Sequence, residues 1–236
     1  MVKNLYSKDK FINGSVLLID KPYNWTSFQL VNKIRWLIKK KFNLKSIKVG
    51  HAGTLDPLAN GLVIIVSGKK TKQIINYQNL DKTYVGTFRL GSTTKSYDLE
   101  TPINKTYNVD HISSKELNQI KKKFLGTINQ TPPIFSAIKK DGKRLYEYAR
   151  NNQKVLISKR EIEIRKLDLD IQNFPEIKFF VECSKGTYIR SLVHDIGKSL
   201  NSGAHLTSLC REKIGTYSLK DAMSIDYFEK ILNCDI

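Results

Sequence analysis

Three short segments of the chain combine residue types able to do covalent or ionic chemistry. The first is GHAGTLDPLANG, Gly50 to Gly61, in which Asp56 precedes Pro57 among three glycines and leads into the apolar run Leu62 to Val66. A carboxylate fixed in such a loop can be partly desolvated and act as a nucleophile or base. The same dipeptide marks an ordinary Asp-Pro turn in which Asp56 caps backbone amides, and local pattern alone favours that turn. The second segment is CSKGTYIRSLVHDIG, Cys183 to Gly197, which places Tyr188 and Arg190 in the first turn of a predicted helix. A cation there opposes the helix dipole, a cost tolerated where the side chain has a fixed anionic partner; a surface arginine in water is the alternative. The third is Lys82-Thr83-Tyr84 at the start of a strand. An exposed tyrosine beside a lysine can stack a base while the ammonium meets phosphate, and core packing of Tyr84 is the competing reading.

The elements that must position these residues are readable from periodicity. Gly14 to Asp20 is a predicted buried strand ended by Lys21-Pro22. Thr26 and Ser27 offer an N-cap to a helix over 26–41 with Val31, Ile34, Leu37 and Ile38 on its apolar face. Val49 to Gly61 reads as a structured loop, Leu62–Val66 as a strand, and a short helix starts near Thr71. Lys82–Gly91 alternates as a half-buried strand. Ser113 and Glu116 form a capping box for a helix carrying Leu117, Ile120 and Phe124, closed by Gly126. Asp141-Gly142 marks a turn in a lysine-rich stretch, and strands fit Ile157–Asp170 and Ile177–Ser184. Thr187 can cap a helix whose Ile189, Leu192, Val193, Ile196 and Leu200 share a face. A strand near His205–Arg211 and a short helix from Ser224 finish the chain. Without regular β-α-β alternation, the expected class is α+β: a mostly antiparallel sheet with helices packed on it, and no visible domain boundary.

Charge narrows the function classes. Forty basic against 22 acidic residues give +18 and favour a nucleic-acid partner. Only eight of the basic residues are arginine, a lysine bias that an AT-rich genome also produces, though such bias explains the excess of base over acid less readily. Cys183, Cys210 and Cys234 have no C-x-x-C spacing, and the four histidines include no H-x-x-x-H pair, so a zinc site or a disulfide framework is not indicated. No apolar stretch reaches membrane-spanning length, and the N-terminus has no signal-peptide pattern, so a cytoplasmic protein is expected.

Taken together, the segments resemble the TruB family of tRNA pseudouridine synthases. The resemblance runs from about Gly14 to Ser218 through DKPYNWTS (Asp20–Ser27), GHAGTLDPLANGL (Gly50–Leu62), DKTYVGTFRLG (Asp81–Gly91), TPPIFSAIKKDGKRLYEYAR (Thr131–Arg150), and CSKGTYIRSLVHDIG followed by GAHLTSLCR (Gly203–Arg211), in the family's order. It implies that Asp56 is the catalytic nucleophile and Arg190 its basic partner. It also implies that Tyr84 stacks on the target uracil, that His51 lies near the flipped nucleotide, and that Tyr188 and Leu209 line the uracil pocket. The implied fold is a pseudouridine synthase domain with a curved antiparallel sheet crossed by an RNA-binding cleft, here a single catalytic domain over 1–236. The implied reaction is isomerisation of the T-loop uridine at tRNA position 55. It needs no cofactor or metal, since no redox change or external group is involved.

Two departures accompany the resemblance. Asn24 stands where the family's KPxGxTS motif usually has glycine, and Asn tolerates left-handed backbone next best. About twenty residues follow Tyr217, too few for the PUA-type RNA-binding domain of many bacterial members. A monomer gripping the T-arm, with no obligatory protein partner and no membrane, is therefore expected. The alternatives are a non-catalytic tRNA-folding chaperone, which would not need Asp56 and Arg190, and a synthase for another RNA. A zinc base deaminase is excluded by its missing ligands.

Overall fold

In a computed structural model, which describes residues 6–234, the periodicities become elements close to the expected bounds. In chain order these are α1 (Lys8–Asn13), β1 (Val16–Lys21), α2 (Ser27–Phe42), β2 (Val49–His51), β3 (Ala59–Ser67), α3 (Ile74–Gln78) and β4 (Lys82–Leu90). There follow β5 (Ser92–Thr94), β6 (Ile103–Thr106), α4 (Ser114–Phe124), β7 (Gly126–Gln130), β8 (Lys139–Lys140), β9 (Lys143–Arg144) and α5 (Leu145–Arg150). The chain closes with β10 (Arg160–Asp170), β11 (Glu176–Cys183), α6 (Ile189–Ser199), β12 (Ala204–Ile214), β13 (Tyr217–Ser218) and α7 (Ile225–Asn233). It divides into two compact units: Met1–Tyr84 with Cys210–Ile236, and Val85–Leu209. The boundaries fall inside β4 and β12, in the middle of regular strands, which is why composition carried no sign of them.

The first unit is organised around β3. Its run Leu62–Val66 is completely buried, each side chain contributing about 1.5–3 kcal/mol of burial free energy. β1 pairs antiparallel with β3, Val16 opposite Val66 and Lys21 opposite Gly61. β2 pairs with it as well, placing His51 opposite Ile65. Residues 52–58 thus form the connection between two neighbouring strands, where the sequence reading had a loop throughout 49–61. Three residues are too few to show a period, so β2 left no signal of its own. α2 begins with a capping box between Thr26 and Gln29 and buries Leu30, Val31, Ile34, Leu37 and Ile38. Asn24 sits at φ 64, the left-handed conformation expected at the family's glycine position. The helix expected near Thr71 is a 3-10 turn over Gly68–Gln73 followed by α3.

In the second unit β10 pairs antiparallel with both β7 and β11. α4 has the expected Ser113–Glu116 capping box and buries Leu117, Ile120 and Phe124. Asp141 and Gly142, both at positive φ, turn the β8–β9 hairpin. α6 buries the expected stripe of Ile189, Leu192, Val193 and Ile196, but its N-cap is Tyr188, not Thr187. The Thr187 hydroxyl instead donates to Ser184 O at 2.9 Å.

Candidate active site

The loop carrying Asp56 is held at each side by a buried cation. Lys21, at the end of β1, is fully buried, and its Nζ donates to Pro22 O at 2.9 Å and Trp25 O at 2.6 Å, and reaches Pro57 O at 3.5 Å. Arg211, in β12, is 1% exposed. It donates from Nε to Leu62 O at 2.8 Å, from Nη2 to Gly53 O at 3.0 Å and from Nη1 to Thr54 O at 3.4 Å. Burial pushes the Lys21 ammonium down to about 8, with the positive charge of Arg211 adding to the fall and the carboxylates of Asp56 and Asp20 opposing it.

Further bonds fix the loop's path. Ser27 at the start of α2 exchanges hydrogen bonds with Leu55, its Oγ donating to Leu55 O at 3.0 Å and accepting from Leu55 N at 2.9 Å. Asn24 N donates to Pro57 O at 2.9 Å and Ala59 N to Asp56 O at 3.1 Å. Asp20 Oδ1 accepts from Gly61 N at 3.1 Å. Gly61 itself has φ +106, and a Cβ there would lie 2.5 Å from Arg211 O, so only glycine allows β12 to come so near. Leu55 and Ala52 are buried, whereas Asp56 is half-buried, so apolar neighbours anchor the loop and leave the carboxylate accessible. Such a carboxylate, in a loop whose carbonyls are held by two buried cations, suits nucleophilic attack on an electron-poor carbon.

His51 lies in the same unit as Asp56, at the end of β2. Burial lowers its pKa, a backbone contact with Gly53 opposes this, and the charge of Arg211 adds to the fall, so the imidazole is neutral at pH 7. Tyr84 belongs to this unit too but is 8% exposed, and Lys82 is also buried, donating to Gln78 O and Leu80 O. Of the two readings left open by the sequence, an exposed Lys-Tyr pair and core packing, burial fits the second: two carbonyls draw the ammonium inward, and the tyrosine goes with the strand.

Arg190, Tyr188 and Leu209 lie in the second unit. Arg190 is 3% exposed, so the surface-arginine alternative does not hold. Its Nη1 donates to Ser96 O at 3.0 Å and its Nη2 to Phe135 O at 2.9 Å, while Nε lies 3.6 Å from Oδ2 of Asp98, itself 4% exposed. A guanidinium with donors on three sides can be fixed this completely; an ammonium cannot. Tyr188, just before it, is held through its backbone. Gln130 Nε2 donates to Tyr188 O at 3.0 Å and Gln130 Oε1 accepts from Tyr188 N at 2.8 Å, which fixes the residue that opens α6. The Arg160 guanidinium lies over the Tyr188 ring at 5.4 Å. Leu209 is buried in β12.

Sequence reasoning missed Lys21, Arg211 and Asp98. The first two stand inside quoted motifs, and nothing in an isolated lysine or arginine says that it is buried. Asp98 lies beyond Gly91, where the third motif ends; its only signal is the run of small polar residues Thr93, Thr94 and Ser96 before it.

The family profile of the TruB family pseudouridylate synthase (N terminal domain) matches residues 39–189. The tRNA pseudouridine synthase B of Flavobacterium johnsoniae is 53% identical, across 95% of this chain and 98% of its own. That of Phocaeicola vulgatus is 50% identical, across 94% and 95%. Among solved structures, a chain of a Cbf5-Nop10-Gar1 complex aligns at a TM-score of 0.69 and 26% identity. The alignment covers 98% of this chain and 56% of that one, so this chain spans little more than half of that neighbour. The fold is that of the pseudouridine synthases, α+β with a mostly antiparallel sheet. With the aspartate loop intact and relatives matched nearly end to end, the chain belongs to the TruB family of pseudouridylate synthases.

Proposed function

We propose that this protein isomerises a T-loop uridine of tRNA, the one conventionally numbered 55, to pseudouridine, with Asp56 as the nucleophile. The observation that carries the reading is the half-buried carboxylate of Asp56 in a loop braced by Lys21 and Arg211. The tRNA substrate is supported by the names of two relatives that this chain matches along almost their whole length. Isomerisation breaks the N1–C1′ bond, turns the uracil and joins C5 to C1′; the proton leaves C5 and N1 gains one, so nothing is oxidised or transferred. A carboxylate can attack C1′ or uracil C6, and both routes need the base out of its stack, at a cost of a few kcal/mol.

Arg190 is assigned the basic role in this reaction, Tyr84 the contact with the target base, and His51, Tyr188 and Leu209 the surroundings of the uracil. The whole chain is read as one catalytic domain, working as a monomer in the cytoplasm without an obligatory protein partner. No helix among the described residues is long and apolar enough to cross a membrane. Unmodified tRNA transcript incubated with EDTA-treated protein, followed by chemical mapping of pseudouridine, tests the reading. Modification at position 55 alone is the expected result, and an unmodified uridine there would overturn it.

A further inference from the structure

Arg190 takes two of its acceptors from one turn, and the residue between them is held in an unusual backbone conformation. Ser96 O meets Nη1 at 3.0 Å and Asp98 Oδ2 lies 3.6 Å from Nε, while Tyr97 between them has φ 67. A bulky L-residue reaches this left-handed region at a cost of roughly 1–2 kcal/mol, which Gly or Asn would largely avoid. That twist allows a carbonyl and a carboxylate only two residues apart to meet the same guanidinium.

The ring of Tyr97 shows how the twist is held. It stacks on His194 with centroids 3.8 Å apart and planes 14° from parallel. His194 follows Arg190 by four residues on α6, one helical turn on the same face. One face of the helix therefore grips the turn twice, by polar bonds at Arg190 and by a ring contact at His194. The backbone adds two anchors, Tyr97 O accepting from Leu206 N at 2.9 Å and Tyr97 N donating to Thr94 O at 3.3 Å. Nδ1 of His194 is buried and makes no hydrogen bond, so the imidazole contributes through its face. Burial, with the charge of Lys198 adding to it, keeps the ring uncharged and favours close stacking.

We infer that Tyr97 and His194 form a positioning pair that sets the direction of the Arg190 guanidinium by holding the Ser96–Asp98 turn in its left-handed conformation. The inference rests on the proposed role of Arg190. Neither residue need touch the RNA; both act through the arginine. A displacement of about 1 Å in a catalytic constellation can cost up to a hundredfold in rate, so losing the stack should show in turnover before binding.

The test compares Tyr97→Phe, Tyr97→Asn, His194→Ala, His194→Phe and the Tyr97→Asn/His194→Ala double variant, with Arg190→Lys alongside. Single-turnover rates on tRNA transcript, RNA affinity and thermal unfolding are measured for each. Tyr97→Phe keeps the ring and should stay within about twofold of wild type, and His194→Phe should recover most of the rate lost in His194→Ala. Tyr97→Asn tolerates the backbone but removes the ring; it and His194→Ala should each slow the rate about tenfold while affinity stays within about twofold. The double variant should be no slower than the slower single, because both remove one contact. Rates within about threefold of wild type for both ring-removing variants, or losses that multiply in the double, would overturn the pairing. A purely structural role would lower unfolding temperature and rate together and leave no rescue by His194→Phe. If Arg190→Lys is fully active, the role of Arg190 fails and the inference with it; if Arg190→Lys is impaired and the ring variants are not, only the pairing is wrong. Should His194→Ala not fold, Tyr97→Asn and His194→Phe decide.

Discussion

Lys21 and Arg211 hold the two sides of one loop: the guanidinium takes the carbonyls of Gly53 and Thr54, the ammonium reaches that of Pro57, and Asp56 lies between them in sequence. Both side chains are buried, so their charge is weakly screened. Their six hydrogen bonds all go to main-chain carbonyls, so the bracing acts on the path of the backbone.

Asp56→Asn should abolish turnover and leave tRNA affinity within a few-fold. The amide keeps the shape but is neither charged nor an adequate nucleophile. Single-turnover assays should find less than about one per cent of the wild-type rate, and anything above that would remove Asp56 from the nucleophile role.

Lys21 should give the pH–rate profile an alkaline limb near 8. Its folded pKa, about 8, lies below the ordinary 10.5, so between these values the native state has released a proton that the unfolded chain still holds. Across that window the group's contribution to stability rises with pH, while the charge that braces the loop is lost. Activity should therefore fall where stability does not. Lys21→Arg, which stays charged, should move the limb to higher pH; a profile identical to wild type would show that Lys21 does not set it.

Arg211→Lys should lower the unfolding temperature by about 5–10 °C, since an ammonium cannot span the carbonyls of Gly53, Thr54 and Leu62, and each buried acceptor left unpaired costs about 1–3 kcal/mol. Calorimetry checks the shift, and the rate measured well below the transition should still be reduced, because the loop backbone has lost its brace.

Arg190→Lys should be much slower than charge conservation suggests, and Asp98→Asn should weaken the same function to a smaller degree. Lysine has no planar fork to meet Ser96 O, Phe135 O and Asp98 together, whereas Asn keeps an oxygen near Nε without the charge. Equal and near-normal single-turnover rates for both variants would remove the guanidinium from the reaction.

Tyr84→Phe should be tolerated and Tyr84→Leu should not. The ring is 8% exposed, so Leu leaves a void as well as removing a stacking face. Rates and melting curves for the pair separate the two effects: a Leu variant destabilised but fully active per folded molecule would make Tyr84 a packing residue alone.

Much of the local structure was legible because it depends on near neighbours. The capping boxes of Thr26–Gln29 and Ser113–Glu116 close over three residues, and the apolar stripe of α6 repeats within one helix. Asn24 at φ 64 and the turn at Asp141-Gly142 follow from the few residue types that tolerate left-handed backbone. The loop that carries Asp56 was legible as a structured loop from its glycines and proline, but its local pattern favoured an ordinary Asp-Pro turn, and the nucleophile role came from the family resemblance alone.

Preferences set by near neighbours therefore account for the elements, the fold class and the loop that carries Asp56. Which polar side chains go inside depends on contacts between distant parts of the chain. Lys21 and Arg211 lie 190 residues apart by their numbering, and their burial depends on strands β1 and β12 bringing them to carbonyls of another segment. The sequence could not say which groups receive Arg190, because Ser96, Phe135 and Asp98 are distant from it in the chain. Sequence left Tyr84 open between exposure and core packing, because the two carbonyls that accept Lys82 are visible only once the turn is made. A charged group enters a protein interior only where acceptors already wait for it, and such acceptors are set by the fold and not by neighbours in the chain.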